Sequence, residues 1–159
     1  MKLYFMLAFR RDPPVRNAML VELFDILRGR GFQVEIGIAQ DSVLEPDQMA
    51  VIHDLYILKS HSNLWLSLAG VLHDQGARLL NPYLSCVATQ NKIVATQRLR
   101  AAGIPIPRSW VTGDLTLLSS IAGEWPLIIK PYVGGRGAGI HIVRDPRELA
   151  AFHHRSSRC

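Results

Sequence analysis

The sequence predicts an α/β protein, with a small, open, mainly parallel sheet over residues 1–82 and an α+β region over residues 83–159. Three observations support this fold class. Strand-like and helix-like segments alternate through the first half, the pattern changes after Pro82, and a glycine-rich stretch in the second half stands between two short apolar strands. Alternating strands and helices favour a parallel sheet, because a helix is the usual crossover between parallel strands.

The first half contains four predicted strands and two predicted helices. The strands are expected from apolar and β-branched runs at residues 2–9, 32–39, 54–60 and 77–81. The helices are expected from apolar positions on one helical face at residues 18–29 and 63–75. No glycine-rich fingerprint follows the first strand, so the dinucleotide site of a standard Rossmann domain is not supported.

The second half mixes short helices and strands. Asn91 is expected to cap a helix over residues 91–102 that ends at Gly103, and prolines make residues 104–108 extended. After these come, in order, a strand at 110–112, a helix at 114–122, strands at 126–132 and 140–144, and a helix from residue 147. Asp145 should cap this last helix, whose pattern is broken from Phe152 onward.

The composition indicates a folded chain. Of the 159 residues, 48% are hydrophobic and 19% are charged, which excludes a disordered tail and permits a core. The apolar run at residues 3–9 is too short to span a membrane and lacks the cleavage site of a secretory signal. Cys86 and Cys159 have neither disulfide nor metal-site spacing, which favours a reducing cytoplasm.

The net charge of +5 is concentrated in the second half. Residues 80–159 contain ten Lys and Arg but only four Asp and Glu. A basic region suits a polyanion, either a nucleic acid or the triphosphate of a nucleotide, although a solvated arginine-rich surface has the same composition. Few aromatic residues stand among these arginines, so a nucleic-acid partner is the weakest of these alternatives.

The glycine-rich stretch, residues 134–139, is called the glycine loop below. It contains Gly134, Gly135, Gly137 and Gly139. Glycine permits positive φ, and successive backbone N–H groups can surround anionic oxygens. A P-loop and a dinucleotide fingerprint both lead into a helix, whereas this loop joins strand to strand. The alternatives are a flexible lid over phosphates and a plain hairpin turn.

Two of the four lysines stand near this loop or at a helix start. Lys130 ends an apolar run, where its amine must reach solvent or an anion. Lys92, in the first turn of a helix, opposes the helix dipole by about 0.3–1 kcal/mol, a cost that an anion bound at that end would offset. The alternative for both is a solvated lysine. Arg136 in the loop could contact phosphate or face solvent.

These features, in this order, resemble the ATP-grasp superfamily of carboxylate–amine ligases, and within it the RimK-type ribosomal-protein glutamate ligases. The motifs that carry the likeness are Asn91 and Lys92 with Thr96 and Leu99, AGIPIP at 102–107, PLIIKP at 126–131, and the glycine loop followed by IHIV at 140–143. The likeness is motif-specific over residues 91–144 and architectural over residues 1–82. It implies a pre-ATP-grasp domain over 1–82 and an incomplete first ATP-grasp subdomain over 83–159.

The resemblance implies ATP as the cofactor and a role for six residues. Lys92 and Lys130 would contact its phosphates, and the loop glycines, Gly134, Gly135, Gly137 and Gly139, would form a lid over them. The implied chemistry is phosphorylation of a carboxylate to an acyl phosphate, followed by attack of an amine to form an amide. The implied partners are carboxylate and amine substrates, an amino acid or a peptide or protein terminus, with a homo-oligomer possible and no membrane.

The sequence departs from this family at the metal site. Such ligases hold Mg²⁺ with acidic residues and an Asn on a second subdomain, downstream of the lid. After Gly139 the acids are Asp145 and Glu148, at a helix start, where acids ordinarily stabilise the helix. We therefore assign no metal ligand and no catalytic residue, and we expect an N-terminal fragment that is inactive by itself. The alternative is a non-catalytic nucleotide- or partner-binding module.

Overall fold

A computed structural model gives the fold and describes residues 1–7, 18–41, 43–60, 62–120, 125–135 and 137–156. The α/β class predicted from the sequence is confirmed. The chain divides into two compact units, Met1–Val87 and Ala88–Cys159. Among the described helices, none is long and apolar enough to cross a membrane.

The first unit is built on a four-stranded parallel sheet. Its elements, in chain order, are β1 (Lys2–Leu7), α1 (Ala18–Gly29), β2 (Gln33–Ile38), β3 (Leu55–Lys59), α2 (Asn63–Asp74) and β4 (Leu79–Leu80). The strand order is β2-β1-β3-β4, and every neighbouring pair is parallel. All four predicted strands are present and are shorter than expected, with residues 8 and 9 of the first prediction outside the described residues.

The sheet of the first unit carries a hydrophobic cluster on each side. Successive strand residues point to opposite faces, so Phe5 packs with Phe24 of α1 while Met6 packs with the α2 side chains. Trp65 of α2 is 2% exposed. Its indole N–H donates to the carbonyl oxygen of Leu7 at 2.7 Å, which ties α2 to the end of β1.

A polar cluster lies at the edge of this core, and no sequence pattern predicted it. His53 is 8% exposed, and its Nε2 lies 2.8 Å from Oε2 of Glu35. The Tyr4 ring lies 4.9 Å from the His53 ring, centre to centre. Burial raises the pKa of the Tyr4 phenol, and the neighbouring Glu35 and Tyr56 raise it further.

The second unit contains a two-stranded antiparallel sheet. Helix α3 (Tyr83–Gln90) crosses the boundary between the units. The elements after it are α4 (Lys92–Ala101), a 3-10 helix (Leu115–Ser120), β5 (Leu127–Ile129), β6 (His141–Val143) and α5 (Pro146–Ser156). Leu127 pairs with Val143, and both are buried, as is Leu149 of α5. Helix α5 packs against β6 and the 3-10 helix.

Several local predictions in this region are wrong. No helix is expected from the sequence at Tyr83–Gln90, where α3 forms, and the helical pattern was expected to break at Phe152, whereas α5 continues to Ser156. The strand expected at 110–112 is irregular, because the Thr112 hydroxyl bonds both the N–H and the carbonyl of Asp114 and closes a local turn.

The helix expected at 114–122 is a 3-10 helix over Leu115–Ser120, and its predicted last two residues lie outside the described residues. Its serines explain the tighter winding. The hydroxyls of Ser119 and Ser120 donate to the carbonyl oxygens of Thr116 and Leu117, three residues earlier. Such side-chain bonds compete with the regular α-helical pattern.

Candidate functional site

The first component of the site is the start of α4, which begins where the sequence predicts. The Asn91 side-chain oxygen accepts hydrogen bonds from the backbone N–H groups of Ile93 at 3.0 Å and Val94 at 3.3 Å. The predicted Asn91 cap is therefore confirmed. Lys92 becomes the first residue of the helix, at the end where unpaired N–H groups give a partial positive charge.

The structure brings Lys92 to the glycine loop. The Lys92 amide donates to the carbonyl oxygen of Tyr132 at 2.8 Å, and Asn91 forms an antiparallel bridge with Val133. The Lys92 Nζ donates to the carbonyl oxygen of Gly134 at 2.9 Å, across 42 residues of sequence. The start of α4 and the base of the loop therefore form one local structure.

Lys130 lies just beyond β5 rather than on the strand. Its side chain is exposed, and within the described residues it has no hydrogen bond or ion pair. Ile128, two residues earlier on β5, is also exposed. Pro131 follows and has no N–H to donate to a strand partner.

The glycine loop joins the antiparallel strands β5 and β6, as predicted. Three of its glycines have positive φ, at +124° for Gly134, +77° for Gly137 and +71° for Gly139. A Cβ on Gly134, Gly135 or Gly137 would meet nothing within 4 Å, so the backbone there is open to a ligand. Arg136, considered above as a phosphate contact, lies outside the described residues.

An exposed apolar pair on the hairpin was not predicted from the sequence. Ile128 and Ile142 stand directly opposite each other and are 63% and 58% exposed. Single exposed apolar residues are ordinary, but these two residues are paired and form one exposed apolar surface on the hairpin. Successive side chains of a strand face opposite sides, so the burial of Leu127 leaves Ile128 on the exposed side. Applying this alternation to the sequence could have identified Ile128 as exposed.

The two acids after the loop hold the start of α5. The Asp145 Oδ1 accepts from the N–H groups of Arg147 at 2.7 Å and Glu148 at 2.8 Å. Glu148 accepts from both the backbone N–H and the guanidinium of Arg144. In the part of the chain that the structure describes, no three His, Cys, Asp or Glu residues converge as a metal site. Both acids are therefore engaged in hydrogen bonds at the start of α5.

The arrangement suits a polyphosphate. It offers the ammonium group of Lys92 at a helix start and the ammonium group of the exposed Lys130. It also offers a loop whose backbone is accessible to anionic oxygens. Among the residues described at this site, none is a nucleophile or a general base held beside these groups. The groups present are therefore cations and open backbone amides, which are chemically suited to anionic oxygens.

Comparison with solved structures assigns the fold. No family model matches the sequence. The fold matches a RimK-domain ATP-grasp protein from Sphaerobacter thermophilus with a TM-score of 0.76 and 17% identity, over 99% of this chain and 59% of that one. A D-alanine–D-alanine ligase from Bacillus anthracis matches with a TM-score of 0.67 and 20% identity, over 98% and 53% of the two chains. The ATP complex of such a ligase also matches, with a TM-score of 0.62. The fold is that of these ATP-grasp structures, and the predicted resemblance is confirmed at the level of the fold.

Comparison with curated sequences gives relatives that are named as a ligase and a synthase. A D-alanine–D-alanine ligase from Synechococcus sp. (strain JA-2-3B'a(2-13)) is 42% identical over 71 residues, which are 42% of this chain and 22% of that protein. Human beta-citrylglutamate synthase B is 27% identical over 88 residues, or 52% and 23% of the two proteins. This chain therefore spans less than a quarter of the length of these sequence relatives, and somewhat over half of the length of the structural neighbours.

Proposed function

We propose that this chain is the ATP-binding portion of an ATP-dependent carboxylate–amine ligase that acts through an acyl phosphate. The observation that carries the proposal is the contact of the Lys92 amine with the carbonyl of Gly134, which joins a cationic helix start to the glycine loop. The ATP-grasp fold and the ligase names of the relatives support it. The carboxylate and amine substrates would be an amino acid or a peptide or protein terminus.

Each group in the site has a separate task in this proposal. Lys92 and Lys130 offset the negative charge of the triphosphate, and the N–H groups of the glycine loop bind its outer oxygens. ATP supplies the phosphoryl group, and these contacts hold it in position for attack by a carboxylate. The exposed Ile128 and Ile142 offer an apolar surface for the flat face of the adenine ring of ATP.

The proposal extends to the two parts of the chain. Residues 1–82 would be the pre-ATP-grasp domain, and residues 83–159 the first ATP-grasp subdomain. A homo-oligomer and a cytoplasmic location, the latter expected from the cysteine usage, remain predictions. No step through a metal is derived from these residues.

Calorimetric titration of ATP into the 159-residue chain tests the nucleotide site. We expect Lys92→Ala and Lys130→Ala each to weaken binding by about tenfold, which corresponds to the loss of one hydrogen bond to a charged group. Lys59→Ala is the matched control, because Lys59 is an exposed lysine at the end of β3 in the first unit. Unchanged affinity in Lys130→Ala, or an equal loss in Lys59→Ala, would contradict the assignment.

We also propose that these 159 residues alone do not turn over ATP. Asp145 and Glu148 are engaged at the start of α5, which leaves them poorly placed as metal ligands. Incubation with Mg-ATP and pooled amino acids should release no phosphate above a protein-free blank. Robust phosphate release that scales with protein concentration would refute this part of the proposal.

A further inference from the structure

We propose that Lys92 is also a positioning residue for the glycine loop. It would hold residues 132–134, called the first arm below because they lead into the loop, against the start of α4. The consequence for nucleotide binding rests on the proposed function. The holding contact itself belongs to the ligand-free protein and can be tested without any nucleotide.

Three consecutive residues of the first arm are each linked to Asn91 or Lys92. The Tyr132 carbonyl accepts from the Lys92 amide, Val133 bridges Asn91, and the Gly134 carbonyl accepts from the Lys92 ammonium. The first two links use the backbone and do not depend on the side chain at position 92. Of the three, the link to Gly134 alone uses the lysine side chain. Removing this side chain would therefore leave Tyr132 and Val133 bonded to the start of α4 and would release Gly134.

Beyond Gly134 the backbone hydrogen bonds of the described loop residues are local. The Ala138 amide donates to the Gly135 carbonyl at 3.2 Å, and the Ile140 amide donates to the Gly137 carbonyl at 3.3 Å. A Cβ on Gly135 or Gly137 would meet nothing within 4 Å, so little packing restrains these two residues, whereas Gly139 lies close to the Pro131 ring. Segments held only by exposed local bonds open most easily. Gly134 is therefore the last described residue of the first arm that is bonded to the start of α4.

This contact also explains how α4 tolerates a lysine in its first turn. A cation there is disfavoured by the helix dipole, and the negative end of the Gly134 carbonyl dipole lies against the ammonium group. An ammonium has three donors, so two remain for a phosphate oxygen. In the proposed function the same group would then connect the loop backbone to the phosphate, and loop ordering and nucleotide binding would reinforce each other.

Hydrogen exchange of the ligand-free 159-residue chain, resolved by mass spectrometry, tests the holding contact. Lys92→Met removes the ammonium and keeps the aliphatic stem. We expect amide exchange over residues 133–135 to rise by about five- to tenfold, the effect of losing one hydrogen bond, while α4 exchanges as in the wild type. Lys92→Arg, which keeps a donor, should return the loop toward wild-type exchange. Lys130→Met makes the same charge change and should leave loop exchange unaltered.

Two results would overturn the inference. One is unaltered loop exchange in Lys92→Met. The other is a rise spread equally over α4, β5 and β6, which would indicate general loosening of the second unit rather than release of one arm. Titration of the wild-type chain with ATP separates this inference from the proposed function. Absence of binding would refute the proposed function and would leave the ligand-free exchange result standing as support for the holding contact.

Discussion

Alanine substitution at three glycines of the loop should have three different costs. Gly135 lacks a positive φ, and a Cβ there would meet nothing within 4 Å, whereas Gly137 has a φ of +77° with the same open surroundings. Gly139 has a φ of +71°, and a Cβ there would lie 2.8 Å from Cγ of Pro131. The series therefore separates backbone strain from side-chain crowding.

The expected free-energy changes follow from these two terms. An L-residue in the left-handed region costs about 1–2 kcal/mol, which is the expected loss of stability for Gly137→Ala. Gly139→Ala adds a crowded contact with a ring carbon that cannot rotate away, and overpacking of this kind raises the total to about 2–4 kcal/mol. Gly135→Ala should be neutral or stabilising by up to about 1 kcal/mol, because alanine restricts the unfolded chain.

Urea unfolding measures these costs as the free energy of unfolding of each variant. Trp110 and Trp125 lie in the same unit as the loop and provide a fluorescence signal for it, while circular dichroism follows the whole chain. The order of destabilisation should be Gly139 above Gly137 above Gly135. An equal cost at Gly135 and Gly139 would refute the reasoning, because it would mean that neither the positive φ nor the Pro131 contact constrains the folded loop.

Two further predictions concern the first unit. Trp65→Phe leaves the Leu7 carbonyl without its 2.7 Å donor and should lower stability by about 1–3 kcal/mol; urea unfolding tests this, and a change no larger than that of Trp110→Phe would contradict it. The pKa of Tyr4 is raised above its ordinary 10.0 by burial and by Glu35, so its contribution to stability is complete below that pH and is lost as the pH rises through the folded value. Tyr4→Phe should therefore lose less stability than the wild type as the pH rises above 10.0, and parallel curves of stability against pH would argue against the shift.

Local signals in the sequence were sufficient for much of the fold. The alternation of apolar segments predicted the parallel sheet, and Asn91 predicted the start of α4. Both depend on short-range preferences, namely strand alternation and the bonding of a side chain to nearby N–H groups. Local reasoning failed at Thr112 and at the serines of the 3-10 helix, where side-chain hydrogen bonds compete with regular structure.

The candidate site also contains features that the sequence indicated and features that only the structure shows. The sequence identified Lys92, Lys130 and the glycine loop as the groups suited to phosphate, and their role as ATP ligands stays a prediction. It did not indicate that Lys92 meets Gly134, or that Ile128 and Ile142 form an exposed pair. These features depend on which residues face each other across the hairpin and on the path of the chain from α4 to the loop.

The sequence by itself therefore determined the class of fold, the position of the helix cap and the glycines that permit positive φ, because each follows from the conformational preferences of a few neighbouring residues. Only the tertiary structure decided which groups meet. The contact between Lys92 and Gly134 spans 42 residues, and the contact between His53 and Glu35 spans 18. Such contacts form when burial of apolar side chains brings distant segments together, and local preference carries no information about that path.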